Sequence, residues 1–301
     1  MSTVLAADLG GTKLAAALVD EDGVVLRSAR VPTGDRPWQA LSALLDEVRG
    51  DVDVVGVGVG CGGPMTWPEG FVSPPNTAAW RSGFALGDAL RDKYPGLPVR
   101  VHNDVVALVV GEHWRGAGRG VDDLLGMVVS TGVGGGVVLR GRVVDGRTGN
   151  AGHVGHLVVD PGGPECGCGG RGCVEAVARG PATVAWARER GCPARDGVEL
   201  AALAHGGDEV ALAALARAGR ALGLGIVGAA AVLDVPLVLL GGGLSQAGEP
   251  LWGPLRETVA EHARLPFLAG LRVEPTALGQ DAGLVGAAAL VHGGDTYWSA
   301  G

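Results

Sequence analysis

Lysine is nearly absent from the 301-residue chain, which contains only Lys13 and Lys93, and charged residues of all kinds amount to 19%. Neither lysine follows a G-x-x-x-x-G spacing, so a Walker A nucleotide loop is excluded. A Rossmann G-x-G-x-x-G between a strand and a helix is also lacking. Glycine is abundant, with 55 residues, but it shows no three-residue period, and this excludes a collagen helix.

Long apolar runs are missing as well. The longest smooth run, residues 221–233, is shorter than the roughly 20 residues that a membrane-spanning helix needs, and it suits a buried helix. The first residues lack the basic region of a signal peptide. Hydrophobic residues make up 47% of the chain, enough for a large core, and the net charge of −8 disfavours broad binding to phosphate backbones. We therefore expect a cytoplasmic globular protein that binds neither nucleic acid nor membrane.

The hydrophobic pattern predicts an α/β protein in which one arrangement occurs twice. A buried strand, a glycine-rich turn and a returning strand are predicted in residues 3–19, with the turn at 10–12, and again in residues 124–139, with the turn at 131–136. The repetition indicates an internal duplication of architecture. Further strands are predicted at 24–31, 53–59, 98–102, 236–240 and 271–273, and helices at 37–49, 81–94, 105–115, 250–263 and 282–291.

The two glycine-rich turns are candidate phosphate sites. Residues without Cβ let consecutive N–H groups converge on an anion. Thr12 and Thr131 add hydroxyl donors, while Lys13 adds either a positive charge or a cover for the strand edge. Ordinary hairpin turns are the alternative, which the recurrence of the same arrangement disfavours. A third glycine cluster, 241–245, follows an apolar strand, and ligands bind at such strand ends in α/β sheets.

Three of the five cysteines, Cys166, Cys168 and Cys173, stand within eight residues of one another. This clustering, in a chain without signs of secretion, points to a metal rather than to disulfides. A closed tetrahedral site needs a fourth ligand, and His153 and His156 lie just upstream. The alternative is a group of three reduced, buried thiols.

Asp104 is the candidate general base. It follows a predicted strand and opens a predicted helix, where backbone donors can hold a carboxylate. Aspartate also serves often as a simple helix N-cap, and the spacing alone favours that interpretation.

Taken together, these motifs resemble those of the ROK family of sugar kinases and repressors. Asp8-Leu9-Gly10-Gly11-Thr12-Lys13 looks like its first phosphate motif, 130–136 like its second, and 241–245 like its adenosine motif. The segment 166–175 is very similar to its zinc signature. The motifs follow the family's order and span nearly the whole chain.

The resemblance implies an α/β, actin/hexokinase-like (ribonuclease H-like ATPase) fold: two domains with central mixed sheets around a cleft, and ATP at the hinge. The flexible run 116–120 predicts the boundary. We expect a small N-terminal α/β domain at 1–116, joined by the last helix at about 282–301, and a large C-terminal α/β domain with the zinc loop at 117–281. The small-residue last helix and the acidic charge fit a homodimer or homotetramer.

The resemblance also implies roles for individual residues, with ATP, Mg²⁺ and a structural Zn²⁺ as cofactors. Asp104 would accept the proton of the sugar 6-hydroxyl. The resemblance therefore reverses the preference for interpreting Asp104 as a simple helix cap. The implied sugar-binding residues are Gly63, Asn76, Asn103, Asp104, His153, His156 and Glu175. The implied ATP- and phosphate-binding residues are Asp8, Gly10, Gly11, Thr12, Lys13, Thr131, Gly132, Gly134, Gly242 and Gly243. The implied zinc ligands are His156, Cys166, Cys168 and Cys173.

Two places depart from the family pattern. His153 stands where the family usually has a glutamate that holds the sugar near C1 and C2, and the loop Cys61-Gly62-Gly63-Pro64 is also altered. Unlike a carboxylate, an imidazole can donate as well as accept. Two interpretations stay open: a local variant that contacts the same sugar, or an altered specificity for an amino or N-acyl hexose.

We therefore expect an ATP-dependent, glucokinase-type hexose 6-kinase. The alternative substrates are glucosamine, kanosamine, N-acetylglucosamine and N-acetylmannosamine. A sugar-sensing regulator without catalysis is less favoured, because the residues expected for catalysis are present. A DNA-binding repressor is disfavoured, since the first predicted strand begins at Thr3 and leaves no room for a preceding helix-turn-helix.

Overall fold

The computed structural model describes residues 2–299. The strands are Thr3–Leu9 (β1), Lys13–Asp20 (β2), Val25–Pro32 (β3), Val57–Cys61 (β4), Met65–Thr66 (β5), Phe71–Val72 (β6), Phe84–Ala85 (β7), Val99–Asn103 (β8), Leu124–Val129 (β9), Val133–Leu139 (β10), Arg142–Val143 (β11), Leu237–Gly241 (β12) and Arg272–Pro275 (β13). The α-helices are Pro37–Arg49 (α1), Leu86–Lys93 (α2), Asp104–Arg115 (α3), Val174–Ala178 (α4), Gly180–Arg188 (α5), Gly197–His205 (α6), Glu209–Leu233 (α7), Glu249–His262 (α8) and Ala282–His292 (α9).

The chain divides into two compact units. Unit 1 comprises the residues up to Asp122, the segment Gly136–Gly152 and the residues from Thr276 onward. Unit 2 comprises Asp123–Gly135 and His153–Pro275. The domain bounds expected from the sequence stay a prediction; the compact units differ from them in assigning 117–122, Gly136–Gly152 and 276–281 to unit 1.

Unit 1 is built around a five-stranded sheet of order β3-β2-β1-β4-β8. β1 alternates between the two faces: Leu5, Ala7 and Leu9 join the core that contains the apolar side chains of α1 and α2, whereas Val4 and Ala6 pack with residues of α9. β1 pairs antiparallel with β2 and parallel with β4, and β4 pairs parallel with β8. The carboxyl ends of β1, β4 and β8 therefore meet at one edge of the sheet.

Glycines let α9 approach its neighbours closely. A Cβ on Gly286 would stand 1.5 Å from the carbonyl oxygen of Ala107 in α3, and one on Gly58 in β4 would stand 1.8 Å from that of Ala287. The small residues of α9 thus pack inside unit 1, and they give no support to the oligomer that the sequence suggested. The contact instead fixes α3, the helix that begins with Asp104.

A second sheet repeats the order of the first. Its strands follow the order β11-β10-β9-β12-β13, so a strand at the start of a hairpin again occupies the centre. β12 pairs parallel with both β9 and β13. The two sheets share this arrangement, which agrees with the duplication inferred from the sequence.

Helix α7 is long and apolar enough to cross a membrane by length and composition alone. The core helix of a globular protein passes the same test. Residues along its length, including Leu215, Leu222 and Ile226, are fully buried within the protein. α7 therefore matches the buried helix expected at 221–233, and it begins much earlier, at Glu209.

In three further predicted elements, one end is displaced by several residues in the structure. The helix predicted at 81–94 begins only at Leu86, because Gly83 has a φ of +107° and β7 follows it. The strand predicted at 53–59 is shifted to Val57–Cys61. The turn predicted at 131–136 ends at Gly132, because the following glycines adopt extended backbone in β10. Glycine runs carry no side-chain periodicity, so such a boundary is invisible to a pattern analysis.

Candidate active site and metal centre

In unit 1, the predicted residues gather at the edge where β1, β4 and β8 end. Asp8 pairs with Gly60 across the β1–β4 ladder, and Cys61 pairs with Asn103 across the β4–β8 ladder. A Cβ on Gly60 would lie 3.3 Å from the Asp104 Cα and 3.8 Å from the Asp8 Oδ1. Asp8, Asn103 and Asp104 thus come together as parallel strand ends require.

Asn103, not Asp104, is the N-cap of α3. Its side-chain Oδ1 accepts hydrogen bonds from the backbone N–H groups of Val105, at 3.0 Å, and Val106, at 3.4 Å. Asp104 is the first helical residue, and its Oδ1 accepts a 2.9 Å hydrogen bond from the Val105 N–H. The simple-cap interpretation therefore applies to the neighbouring residue, and a carboxylate is held at the positive end of the helix.

Gly63 lies against the same cap. A Cβ on Gly63 would stand 3.1 Å from the Asn103 Nδ2. A Cβ on Gly62 would lie 3.8 Å from the Asp104 Oδ2. The two glycines of this loop therefore leave room beside the amide of Asn103 and beside the second carboxylate oxygen of Asp104.

The first glycine turn is closed by a 3.0 Å hydrogen bond from the Gly10 N–H to the carbonyl of Lys13. A Cβ on Gly11 would stand 2.8 Å from both the Cβ and the carbonyl oxygen of Asn76. The turn and the predicted sugar-binding asparagine are thus neighbours, and a larger residue at 11 would force one of them to shift. Gly11, Thr12, Lys13 and Asn76 are exposed, as ligand-binding groups need to be.

Asp8 is half-buried, and the pKa of its carboxyl is shifted at this edge. Burial raises the pKa of its carboxyl to about 6, and the Asp104 carboxylate adds a smaller increase. Lys13 and Arg30 act in the opposite direction. Burial and the same two carboxylates also raise the pKa of the Cys61 thiol, so Cys61 stays neutral. A cation bound beside Asp8 would relieve the repulsion between the carboxylates.

In unit 2, the second glycine turn lies beside the third glycine cluster. The turn is closed by a 2.9 Å hydrogen bond from the Ser130 N–H to the Gly132 carbonyl. Gly242 has a φ of +94°, and a Cβ there would stand 2.3 Å from the carbonyl oxygen of Val129, at the end of β9. A Cβ on Gly243 would lie 3.9 Å from the Ser130 Oγ. Thr131 is exposed at the tip of the turn, and Gly134 lies in β10.

Glu175 links the second turn to the cysteine loop. Its Oε2 accepts a 2.9 Å hydrogen bond from the Val133 N–H, and a Cβ on Gly132 would stand 2.9 Å from the same oxygen. Gly155 approaches Val133 from its carbonyl side, since a Cβ on Gly155 would lie 2.0 Å from the Val133 carbonyl oxygen. The sequence assigned Glu175 only to the sugar; the structure shows that one of its oxygens also binds the turn.

The four predicted metal ligands form one cluster. The ligand atoms of His156, Cys166, Cys168 and Cys173 all lie within 4.8 Å of one another. The Cys166 Sγ is 3.7 Å from the His156 Nδ1, and the Cys168 Sγ is 3.8 Å from the Cys173 Sγ. With Zn–S bonds of about 2.3 Å and tetrahedral angles, neighbouring ligand atoms should lie roughly 3.6–3.8 Å apart. The donor set and its spacing therefore fit a closed Cys₃His zinc site.

The thiols of this cluster differ in their environment. Burial and the neighbouring thiols raise the pKa of Cys173 to about 12. A hydrogen bond from the Gly170 backbone, followed by one from Cys166, lowers the pKa of the exposed Cys168. Thiolates bind metal, so a bound cation would have to displace the Cys173 proton.

His153 lies beside the cluster. Its ring stacks on that of His156, with centroids 6.3 Å apart and an interplanar angle of 20°, and it is exposed. The backbone N–H of His156 donates a 3.1 Å hydrogen bond to the His153 carbonyl. The residue that departs from the family pattern therefore lies against a predicted metal ligand, and its ring is accessible.

The family is established by comparison with known proteins. The model of the ROK family matches residues 4–293. This chain belongs to the ROK family. The glucokinase of Thermotoga maritima is 36% identical over 308 aligned residues, which cover 96% of this chain and 96% of that protein. The N-acetylmannosamine kinase of Citrobacter koseri is 36% identical over 300 aligned residues, which cover 97% of this chain and 99% of that protein.

A solved ROK structure resembles the whole chain. The ROK family glucokinase from Streptomyces griseus, solved in complex with glucose and AMPPNP, has a TM-score of 0.83 and 33% identity, and the match covers 96% of this chain and 99% of that chain. The predicted family and the predicted α/β, actin/hexokinase-like fold are confirmed. The predicted class of enzyme, an ATP-dependent sugar kinase, agrees with these relatives.

Two features of this ROK chain's unit 1 escaped the sequence analysis. A Cβ on Gly283, at the start of α9, would stand 2.8 Å from the Asp8 Oδ2, so this glycine belongs to the Asp8 environment. His102, which directly precedes Asn103, forms a buried pair with Asp145, a residue 43 positions away. The histidine next to the Asn-Asp pair was visible in the sequence, but nothing there marked its distant partner.

Proposed function

We propose that this ROK-family chain phosphorylates the 6-hydroxyl of a hexose with ATP, and that glucose is its principal substrate. The observation that carries the proposal is the sheet edge of unit 1, where Asp8, the N-cap Asn103 and Asp104 meet beside glycines that leave room for a ligand. The glucokinase and N-acetylmannosamine kinase relatives support the sugar-kinase class.

Asp104 is the proposed general base. Its Oδ1 is held by the Val105 N–H, and its Oδ2 lies toward the space that Gly62 leaves open. As the sugar oxygen bonds to the γ-phosphorus and the bond to the ADP oxygen breaks, the hydroxyl proton passes to Asp104. The cap hydrogen bonds of Asn103 hold the start of α3 and leave its Nδ2 on the Gly63 side, where it can bind a sugar hydroxyl.

The remaining residues would hold the nucleotide and the cations. Asp8 and the turn at 10–13 are proposed to bind phosphate with its Mg²⁺, the turn at Thr131 and Gly132 a second phosphate, and Gly242–Gly243 the adenosine. Bound Mg²⁺ neutralises phosphate charge in such reactions. The cluster of His156 and three cysteines would hold a structural Zn²⁺, which orders a glycine-rich loop. Binding of a sugar hydroxyl by Glu175 and His156 is part of the same proposal.

A second candidate substrate is an amino or N-acetylamino hexose. The accessible ring of His153, in place of the family's carboxylate, supports it, and a relative of equal identity is an N-acetylmannosamine kinase. An imidazole can donate to an acyl oxygen, which a carboxylate cannot do. Cytoplasmic location and a homodimeric or homotetrameric state stay predictions.

A coupled ADP-release assay tests the proposal. Purified chain with ATP and Mg²⁺ is assayed on glucose, mannose, glucosamine, kanosamine, N-acetylglucosamine and N-acetylmannosamine. We expect the highest kcat/KM on glucose. If kcat/KM is instead at least tenfold higher on an amino or N-acyl sugar, which corresponds to roughly 1.4 kcal/mol, the second candidate substrate is established. No turnover on any of these sugars would contradict the hexose-kinase proposal.

The matched variants are Asp104→Asn and Asp35→Asn. Asp35 is exposed in the loop before α1, so its neutralisation controls for the change in net charge. Loss of the general base should lower kcat by about 10²–10⁴. Near-normal turnover of Asp104→Asn would exclude Asp104 as the base.

A further inference from the structure

The last described residues of the chain, Tyr297–Ser299, form what we call the C-terminal anchor. Tyr297 and Trp298 are buried, with 5% and 8% of their surface exposed. The Tyr297 hydroxyl lies 2.6 Å from the Nδ1 of His113 in α3. The ring centroid of Trp298 lies 5.5 Å from that of Trp67, and the guanidinium of Arg100 lies 5.7 Å from the Trp298 ring. The terminal segment is therefore packed into unit 1.

Ser299, the exposed last residue of the anchor, is hydrogen-bonded to a pair of buried polar side chains. The Ser299 hydroxyl donates a 2.6 Å hydrogen bond to the Asp145 Oδ2. The other carboxylate oxygen, Oδ1, lies 2.9 Å from the Nε2 of His102. His102 is fully buried, and Asp145 is 7% exposed. Both oxygens of a buried carboxylate thus have partners, as a buried charge requires.

This series of hydrogen bonds ends at the backbone of Asn103. The Asn103 N–H donates a 2.7 Å hydrogen bond to the His102 Nδ1. Because Nδ1 accepts this bond, the ring proton must reside on Nε2, where it is donated to Asp145. The two ring nitrogens of His102 thus have opposite roles: Nδ1 accepts from the Asn103 N–H, and Nε2 faces the Asp145 carboxylate.

We propose that the C-terminal anchor positions Asn103 and Asp104 through Ser299, Asp145 and His102. The proposal rests on the function assigned to Asn103 and Asp104 above. The side chain of Asn103 caps α3 and its backbone N–H is fixed by His102, so the orientation of the first helical residue, Asp104, depends on this bond. Asp145 and His102 are positioning residues, and a residue close to the C-terminus thereby acts on the catalytic carboxylate.

The test compares Ser299→Ala, Ser299→Thr, Asp145→Asn and Thr296→Ala in the full chain. Ser299→Ala removes one donor, whereas Ser299→Thr keeps the hydroxyl. Thr296, exposed in the same segment, is the matched control. Small displacements of a reacting group can cost up to about 10² in rate. We therefore expect kcat to fall about 3- to 10-fold in Ser299→Ala and about 10- to 100-fold in Asp145→Asn, with KM for the sugar within about twofold.

Rescue and spectroscopy separate positioning from simple destabilisation. Ser299→Thr and Thr296→Ala should retain the wild-type kcat, and all four variants should stay folded at the assay temperature by thermal unfolding. In ¹⁵N NMR spectra of the wild type, the His102 proton should reside on Nε2, and the Asn103 amide signal should shift in Ser299→Ala but not in Thr296→Ala. The NMR arm needs no turnover, so it tests the anchor even if the wild type phosphorylates none of the sugars tried.

Three outcomes would overturn the proposal. Wild-type kcat in Ser299→Ala would remove the connection between the anchor and catalysis, and wild-type kcat in Asp145→Asn would remove that of the buried pair as well. An equal loss in Thr296→Ala would show a general effect of the terminal segment. A proton on the Nδ1 of His102 would exclude the hydrogen bond from Asn103.

Discussion

The two glycine turns have the same backbone plan and different chemistry. In unit 1 the turn joins β1 to β2, and its carboxylate, Asp8, belongs to the strand that leads into it. In unit 2 the turn joins β9 to β10, and its carboxylate, Glu175, comes from α4, directly after the last cysteine of the metal cluster. The first turn is therefore supported by a sheet, and the second by a loop that a metal would order.

This difference teaches how a duplicated framework can take on distinct roles. Asp8 is close to a second carboxylate, so a bound cation would be favoured at this edge, and Lys13 lies at the same turn. One carboxylate oxygen of Glu175 instead accepts a hydrogen bond from the Val133 N–H of the returning strand. We infer that the first turn is ready to bind a metal-bound phosphate, whereas the second depends on the integrity of the cysteine loop.

Removal of the metal should have the largest effect and should separate the two turns. If Glu175 loses its support, the Val133 N–H loses a charge-assisted hydrogen bond of about 1.5–3 kcal/mol, and its exchange with solvent should accelerate roughly 10- to 100-fold. The Gly10 N–H, bonded to Lys13 in the first turn, should be unaffected. Hydrogen exchange with and without a chelator measures both amides, and kinase activity should fall in parallel.

Two cysteine variants control this experiment. Cys168→Ala removes an exposed residue that is a predicted ligand, and it should reproduce the effect of the chelator. Cys192→Ala removes a buried cysteine of unit 2 outside the cluster, and its exchange at Val133 should match the wild type. Equal acceleration at both turns, or at neither, would contradict the proposed dependence of the second turn on the metal.

Asp8→Asn should sharpen the electrostatic half of the comparison. The folded-state pKa of about 6 lies above the ordinary value of 3.8, so the folded protein binds the proton more tightly than the unfolded chain does. Asp8 therefore favours the folded state least above pH 6, and the contribution of Asp8 to wild-type stability should fall as the pH rises from about 4 to about 6. Asp8→Asn should abolish activity and yet raise stability at pH 8 by about 1–3 kcal/mol, a range that allows for partial exposure of the side chain.

Urea unfolding at pH 4, 6 and 8 measures this effect. At pH 4 the advantage of Asp8→Asn should disappear, because the wild-type carboxyl is then largely protonated in the folded state. Asp35→Asn, in an exposed loop, should change stability by less than about 0.5 kcal/mol at each pH. A pH-independent gain in Asp8→Asn would show that the carboxyl is not perturbed in the folded protein.

The sequence predicted the parts of the site that depend on local chemistry. Buried strands such as β1 and β9 have continuous apolar stretches, the cysteine spacing marks the metal cluster, and glycines mark close approaches. It did not distinguish the cap from the base, because asparagine and aspartate are both strong N-cap residues and stand side by side at 103 and 104. Only the hydrogen bonds to Val105 and Val106 assign the cap to Asn103.

Contacts between distant segments could not be predicted. The Asp145–His102 pair joins a residue after β11 to one in β8, and neither position stands out by composition. Glu112 is a similar case: its fully buried carboxylate accepts from the backbone N–H groups of Ala117, Ala277 and Leu278. Such partners are set by topology, whereas periodicity and motif spacing report only on neighbours along the chain.

The smallest expected effect distinguishes the two turns by what surrounds their glycines. Neither Gly11 nor Gly132 has a left-handed backbone, so alanine is limited there by space alone. A methyl group on Gly11 meets the backbone of Asn76, which must shift, whereas one on Gly132 meets only the end of the Glu175 side chain. In urea unfolding we expect Gly11→Ala to cost about 1–2 kcal/mol and Gly132→Ala less than about 1 kcal/mol. Gly228→Ala, on the open face of α7, should stabilise by up to about 1 kcal/mol as the control, because alanine is the better helix former. The reverse order at the two turns would mean that the second turn, not the first, is the more rigidly packed.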